Sequence, residues 1–169
     1  MSIRLLTDAA LLAECRSENF RGPGPGGQKR NKTSNAVRIT HLPTGVHASA
    51  GEFRSLAINK LHALRRLRIK IAAERREPID LLTFEPPDWS LLLRHEKRIN
   101  VSHRDALHGA TGGLVLDLLA ALGGNPSLVA INLGVSLREI IRVLEDEPVF
   151  WIAANRIRKD AGLGPLTHR

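Results

Sequence analysis

The chain has 169 residues, 43% of them apolar and 4% aromatic, with a formal net charge of +8. That composition excludes a disordered chain and leaves room for one domain or two small ones, each with a true core. The apolar runs are too short to span a bilayer and Met1 to Leu6 lack a secretory cleavage pattern, so a cytoplasmic protein without membrane contact is expected.

The charge is unevenly placed. Residues 1–76 carry 15 Lys and Arg against 5 Asp and Glu, residues 77–110 carry 4 against 6, and residues 111–169 carry 6 against 6. A basic first part beside a near-neutral second part points to a polyanionic partner for the first, bound in a salt-sensitive way. Few aromatics and no Tyr favour phosphate and shape contacts over base stacking. Cys15, the single cysteine, cannot form an internal disulfide and reads as a small buried residue.

In chain order, Thr7 or Asp8 caps a short helix to Ala13, and Glu14 to Arg21 reads as extended. The stretch Arg21-Gly22-Pro23-Gly24-Pro25-Gly26-Gly27-Gln28-Lys29-Arg30-Asn31-Lys32 fits neither helix nor strand, because its prolines lack donors and its glycines favour turns; it is an exposed basic loop. Val37, Ile39 and Leu42 against Arg38, Thr40 and His41 give an approximate alternation. Pro43-Thr44-Gly45 turns the chain, and Val46 to Ser49 returns as the second strand of a hairpin. Ser55 opens a long helix that packs through Ala57, Leu61, Leu64, Leu67 and Ile71 and shows a basic face with Arg65, Arg66 and Arg68. Pro78 to Trp89, with Pro86-Pro87, reads as a linker.

Beyond it, Leu91 to Asn100 reads as a helix, and Gly109 to Gly113 is expected to weaken any single continuous helix into Leu114 to Leu122. Ser127 caps Leu128 to Leu133, Gly134 ends that helix, and Ser136-Leu137-Arg138-Glu139 is a capping box for the next. Ala130, Gly134 and Ile140 have helix-turn-helix spacing, although Glu139, Glu145 and Asp146 argue against phosphate contact by the second helix. His95, His103 and His108 lack the spacing of a helix-face pair and have no cysteine beside them, so no metal is expected. Phe150, Trp151 and Ile152 are assigned to the core of a small helical domain ahead of a partner surface.

The run from Arg21 to Gly45, RGPGPGGQKRNKTSNAVRITHLPTG, resembles the GGQ loop and following hairpin of class I peptide chain release factors and their ribosome-rescue relatives. The resemblance covers about residues 14–76 and rests on Gly26-Gly27-Gln28, Asn31-Lys32-Thr33, the strand Ala36 to His41 and the turn Pro43-Thr44-Gly45. It implies an α+β fold, with a small GGQ domain (a β-hairpin or sheet with a long basic helix) over residues 1–77. A linker at 78–89 and an all-helical, helix-turn-helix-like accessory domain at 90–169 complete the expectation.

It further implies an enzyme: a ribosome-dependent peptidyl-tRNA hydrolase needing no cofactor, whose Gly26, Gly27 and Gln28 enter the peptidyl transferase centre. There the Gln28 N–H would stabilise the oxyanion and its side chain would help admit water. Lys29, Arg30, Asn31, Lys32, Arg38, Arg54, Arg65, Arg66 and Arg68 are the expected RNA contacts, with large-subunit rRNA and peptidyl-tRNA as partners. The residues themselves offer no Ser/His/Asp set, carboxylate pair or metal cluster, which agrees with a site completed by RNA. Lys29-Arg30 is more basic than the family commonly has at that point, a departure that bears on how the loop seats. The chain also lacks a stop-codon-reading region, so codon-independent rescue is expected over codon-directed termination, by a monomer whose C-terminal helices serve a protein partner; its mildly basic ending departs from the Lys/Arg-dense tail of the single-domain rescue relatives. The competing reading is a non-enzymatic nucleic-acid-binding module with the C-terminal helices as reader.

Overall fold

In a computed structural model that describes residues 2–21, 35–92, 94–95 and 98–167, a 3₁₀ turn at Ile3–Leu5 leads into helix α1, Asp8–Ala13. Thr7 is its N-cap and accepts the Ala10 N–H, satisfying an amide that has no partner inside the helix. Three strands follow, β1 (Cys15–Phe20), β2 (Ala36–His41) and β3 (His47–Ala50), in an antiparallel sheet of that order. Helix α2, Leu56–Glu74, comes next. The chain divides into two compact units, Met1–Ile71 and Ala72–Arg169.

The first unit is built around one apolar layer. Val37 and Ile39 of β2, Ala48 and Ala50 of β3, Leu11 of α1 and Ala63, Leu64, Leu67 and Ile71 of α2 share its core. Each fully buried large aliphatic residue here contributes about 1.5–3 kcal/mol relative to exposure. The helix packs through a stripe shifted from the expected one. Leu61 is exposed and Ala57 lies on the open side, whereas Ala63 and Asn59 are completely buried. Only the later apolar positions of α2 belong to the core, so the earlier ones stay at the surface.

The hairpin also differs from the expected alternation at its end. His41 is fully buried and Leu42 is 63% exposed, because period two places His41 on the face of Val37 and Ile39. The imidazole is satisfied there by Thr44 Oγ1 and Glu14 Oε2, each at 2.8 Å. Gly45 adopts φ +72° in the turn, a conformation that side-chain-bearing residues avoid.

The second unit contains α3 (Asp88–Leu92), a two-residue ladder of β4 (Arg94–His95) and β5 (Arg98–Ile99), and helices α4 (Leu107–Ala121), α5 (Pro126–Leu133), α6 (Leu137–Glu145) and α7 (Pro148–Asp160). The expected helix over 91–100 is therefore replaced by the end of α3 and this ladder. The glycines at 109–113 do not break α4, which is one continuous helix. A Cβ on Gly112 would lie 2.1 Å from the Phe150 ring, so glycine there admits the aromatic against the helix, and packing outweighs its modest propensity cost. Phe150 is fully buried while Ile152 is 66% exposed, dividing the expected apolar cluster between core and surface.

Asn125, rather than Ser127, caps α5, its side chain accepting the Ser127 and Leu128 N–H groups with Pro126 in the first turn. Gly134 ends α5 at φ 63°, and Ser136 caps α6 by accepting the Glu139 N–H. Ala130 and Ile140 are buried, as a helix-turn-helix-like pair requires. Asp117, buried on α4, accepts from the Arg76 guanidinium at 3.0 Å and the Glu77 N–H at 3.1 Å, anchoring the segment after α2 within this unit. Among the described residues, no helix is long and apolar enough to cross a membrane.

Candidate functional site: the strand ends beneath the glycine-rich loop

Strands β1 and β2 pair from Cys15↔His41 through to Phe20↔Ala36. The fifteen residues from Arg21 to Asn35 therefore leave and re-enter the domain at the end of one antiparallel pair. Gly26, Gly27 and Gln28, with Lys29, Arg30, Asn31 and Lys32, lie in this connection and outside the described residues.

The base of the connection is built by a residue that its sequence context does not single out. Asn59, in the first turns of α2 and completely buried, donates through Nδ2 to the Asn35 carbonyl at 2.7 Å and the Phe53 carbonyl at 2.8 Å. Its Oδ1 accepts the Phe53 N–H at 3.0 Å. Asn35 Nδ2 in turn donates to the Arg54 carbonyl at 2.9 Å. One side-chain amide thus ties the returning end of the loop to the turn before α2. Gly51 completes the close approach, since a Cβ there would meet Ala36 Cβ at 2.8 Å. A polar residue on an apolar helix stripe was the available signal for Asn59; its partner Asn35 lies 24 residues away.

The expected basic contacts separate into distinct environments. Arg38 projects from the solvent face of β2, its guanidinium carbon 5.4 Å from the Phe20 ring centroid, next to the strand end. Arg54 is exposed on the turn whose carbonyl Asn35 engages, and Arg65 is half-buried on α2. Arg66 is exposed but donates to the Ser49 carbonyl and to Glu52 Oε1 at 2.7 Å. Burial pushes the Glu52 carboxyl up, yet the hydrogen bond from Arg66 and nearby backbone amides leave it below its ordinary value. Arg68 departs from the expected exposed face altogether. It is 6% exposed, its Nη2 donating at 2.7 Å to both Asp8 Oδ1 and the Leu6 carbonyl, so it holds α1 to α2.

Cys15 is half-buried, with its thiol donating to the Leu11 carbonyl at 3.0 Å. Burial, and then the charge of Glu14, raise the thiol above its ordinary value, which suits a packing role rather than a nucleophile. On the helix-turn-helix-like pair, Arg142 donates to Glu139, Asp146 and the Ile99 carbonyl, while Arg138 is exposed. The cation of α6 nearest in character to a reader is therefore occupied inside its own unit.

Residues 11–80 match the family model described as the RF-1 domain. The chain is 40% identical over 85 residues to peptide chain release factor 2 of Saccharopolyspora erythraea, covering 48% of this chain and 23% of that protein. It is 50% identical over 64 residues to peptide chain release factor 1 of a Parafrankia species, covering 38% and 18%. With peptide chain release factor 1 of Thermobifida fusca it shares 48% identity over 62 residues, covering 37% and 18%. The sheet, α2 and the sequence between β1 and β2 all fall within the residues that match the RF-1 domain. The chain spans about a fifth of the length of the curated relatives it matches.

Proposed function

We propose that the protein hydrolyses the ester of peptidyl-tRNA on ribosomes independently of a stop codon, acting as a rescue-type release factor. The observation that supports this reading is the Gly26-Gly27-Gln28 sequence in the connection between β1 and β2, strands that pair out to Phe20↔Ala36, within the residues that match the RF-1 domain. On this reading Gly26 and Gly27 let the backbone approach the ester, and the Gln28 N–H stabilises the developing oxyanion. The Gln28 side chain orders water, while rRNA supplies the rest of the catalytic surroundings. Lys29, Arg30, Asn31, Lys32, Arg38 and Arg54 contact RNA phosphates around the loop; Arg65 and Arg66 are further contacts along α2. Residues 1–77 act as the catalytic domain, 78–89 as a linker, and 90–169 as an accessory domain that recruits a protein partner, all in the cytoplasm.

The test is single-turnover peptide release from purified ribosomes stalled on truncated mRNA. Gly27→Ala, which restricts the backbone presenting the oxyanion donor, is expected to lower release by roughly 10²-fold with sedimentation on ribosomes retained. Gln28→Ala is expected to lower release in the same assay. Undiminished release by both variants overturns the catalytic reading. Ribosome or nucleic-acid binding by the wild type without any release would favour a non-enzymatic binding module instead.

A further inference from the structure

His103, His108 and Glu147 come from different parts of the second unit and converge. Among the described residues, they form a group whose potential ligand atoms all lie within 4.8 Å of one another. His103 lies in the loop before α4, His108 is in the first turn of that helix, and Glu147 is the N-cap of α7. His108 Nε2 is 3.2 Å from Glu147 Oε1, and His103 Nδ1 is 3.8 Å from the same oxygen. The two imidazole centroids are 4.6 Å apart.

We propose that these three side chains form a binding site for a divalent transition-metal ion of the Zn²⁺ type. A tetrahedral ion with bonds of about 2.0–2.1 Å requires neighbouring ligand atoms about 3.3 Å apart. The separation from His108 to Glu147 already matches that edge. The separation from His103 exceeds it by a displacement that an exposed side chain makes without moving the core, and is too long for a hydrogen bond. A hydrogen bond from His108 to Glu147 would by itself account for a buried imidazole. His103 Nδ1, within ion-pair distance of the same oxygen, brings a second imidazole nitrogen to that carboxylate.

The placement of Glu147 adds to the case. It occupies the N-cap of α7 but makes no side-chain hydrogen bond to its own helix, and its carboxylate faces the histidines instead. His108 is 3% exposed, so one ligand is fixed by the core, whereas the His103 side chain is 62% exposed and leaves the fourth position open to water or an external ligand. Two imidazoles and one carboxylate suit Zn²⁺, Co²⁺ or Ni²⁺ and not Mg²⁺ or Ca²⁺, which take all-oxygen shells. A bound ion would tie the loop before α4 to the start of α7. Spacing along the chain could not disclose this set, because Glu147 is 39 residues beyond His108.

The experiment uses the full chain, stripped with a chelator and dialysed, then titrated with Zn²⁺ and separately with Mg²⁺ by calorimetry, with thermal unfolding in parallel. The expected result is one equivalent of Zn²⁺, a rise in Tm, and no response to Mg²⁺. His103→Ala changes an exposed residue and keeps the His108–Glu147 hydrogen bond; it is expected to fold and to weaken Zn²⁺ binding at least tenfold, with Glu147→Gln doing the same. Absence of saturable one-to-one binding by the folded wild type overturns the proposal. Zn²⁺ affinity unchanged in both variants overturns it equally, because the ion would then be bound elsewhere.

Discussion

Asn59 makes three hydrogen bonds to two backbone stretches, Asn35 at the end of the connection before β2 and Phe53 before α2. Replacing it with Ala leaves two part-buried carbonyls and one N–H without that partner, at a cost of about 1–3 kcal/mol. Asn59→Ala is therefore expected to lower the unfolding free energy by that amount and to speed hydrogen exchange at the Phe53 amide. Peptide release should fall as well, since the returning end of the loop loses its anchor. Normal exchange at Phe53 in the variant would show that the clamp does not hold this turn. Arg68 carries the complementary lesson. Its charge and helical position suggest part of a surface, yet the Leu6 carbonyl and Asp8 sixty residues earlier make it a structural residue.

At the scale of an element, α6 depends on a carboxylate that the capping-box pattern identifies but assigns to the wrong partner. Ser136 caps the helix as expected, while the Glu139 carboxylate accepts from the Ile99 N–H at 3.2 Å and from Arg142 at 2.8 Å. Burial pushes Glu139 up, but the hydrogen bonds and the charge of Arg142 outweigh it and leave the carboxyl below its ordinary value of 4.5. A carboxyl depressed in the folded state binds protons more readily when unfolded. Its stabilisation is thus complete above the ordinary value and is lost as pH falls through the lower, folded value. Both tryptophans, Trp89 and Trp151, lie in the second unit and report on it by fluorescence. Urea unfolding should show stability declining below about pH 4.5, and Glu139→Gln should be less stable at pH 7, by about 1.5–3 kcal/mol, with a shallower acid decline. An identical acid profile in the variant would remove Glu139 from the account.

For the whole molecule, the positive excess of residues 1–76 becomes a surface only where the fold leaves it exposed. Arg38 and Arg54 lie on the surface of the unit that carries the loop, whereas Arg68 is interior. The double variant Arg38→Glu/Arg54→Glu is expected to sediment less with ribosomes and to reduce the logarithmic salt slope by about 0.7–0.9 for each phosphate that is no longer neutralised. Arg68→Met should leave that slope unchanged and lower the Tm. An unchanged slope in the double variant would assign both arginines to solvent.

The sequence by itself determined the features that depend on local chemistry. Thr7 and Ser136 cap helices through their own hydroxyls, Gly134 supplies the left-handed turn, and β2 reads from its β-branched alternation. The likeness to the RF-1 domain was legible for the same reason, since the residues that carry it form one contiguous run. Only the tertiary structure decided where side chains find partners far along the chain. His41 is drawn inward by Glu14, Gly112 is kept inside a helix by Phe150, Asn59 reaches Asn35, and His103 and His108 meet Glu147. In each case the free energy comes from burial or from hydrogen bonds closed across a long loop, and no periodicity within a single element carries that information.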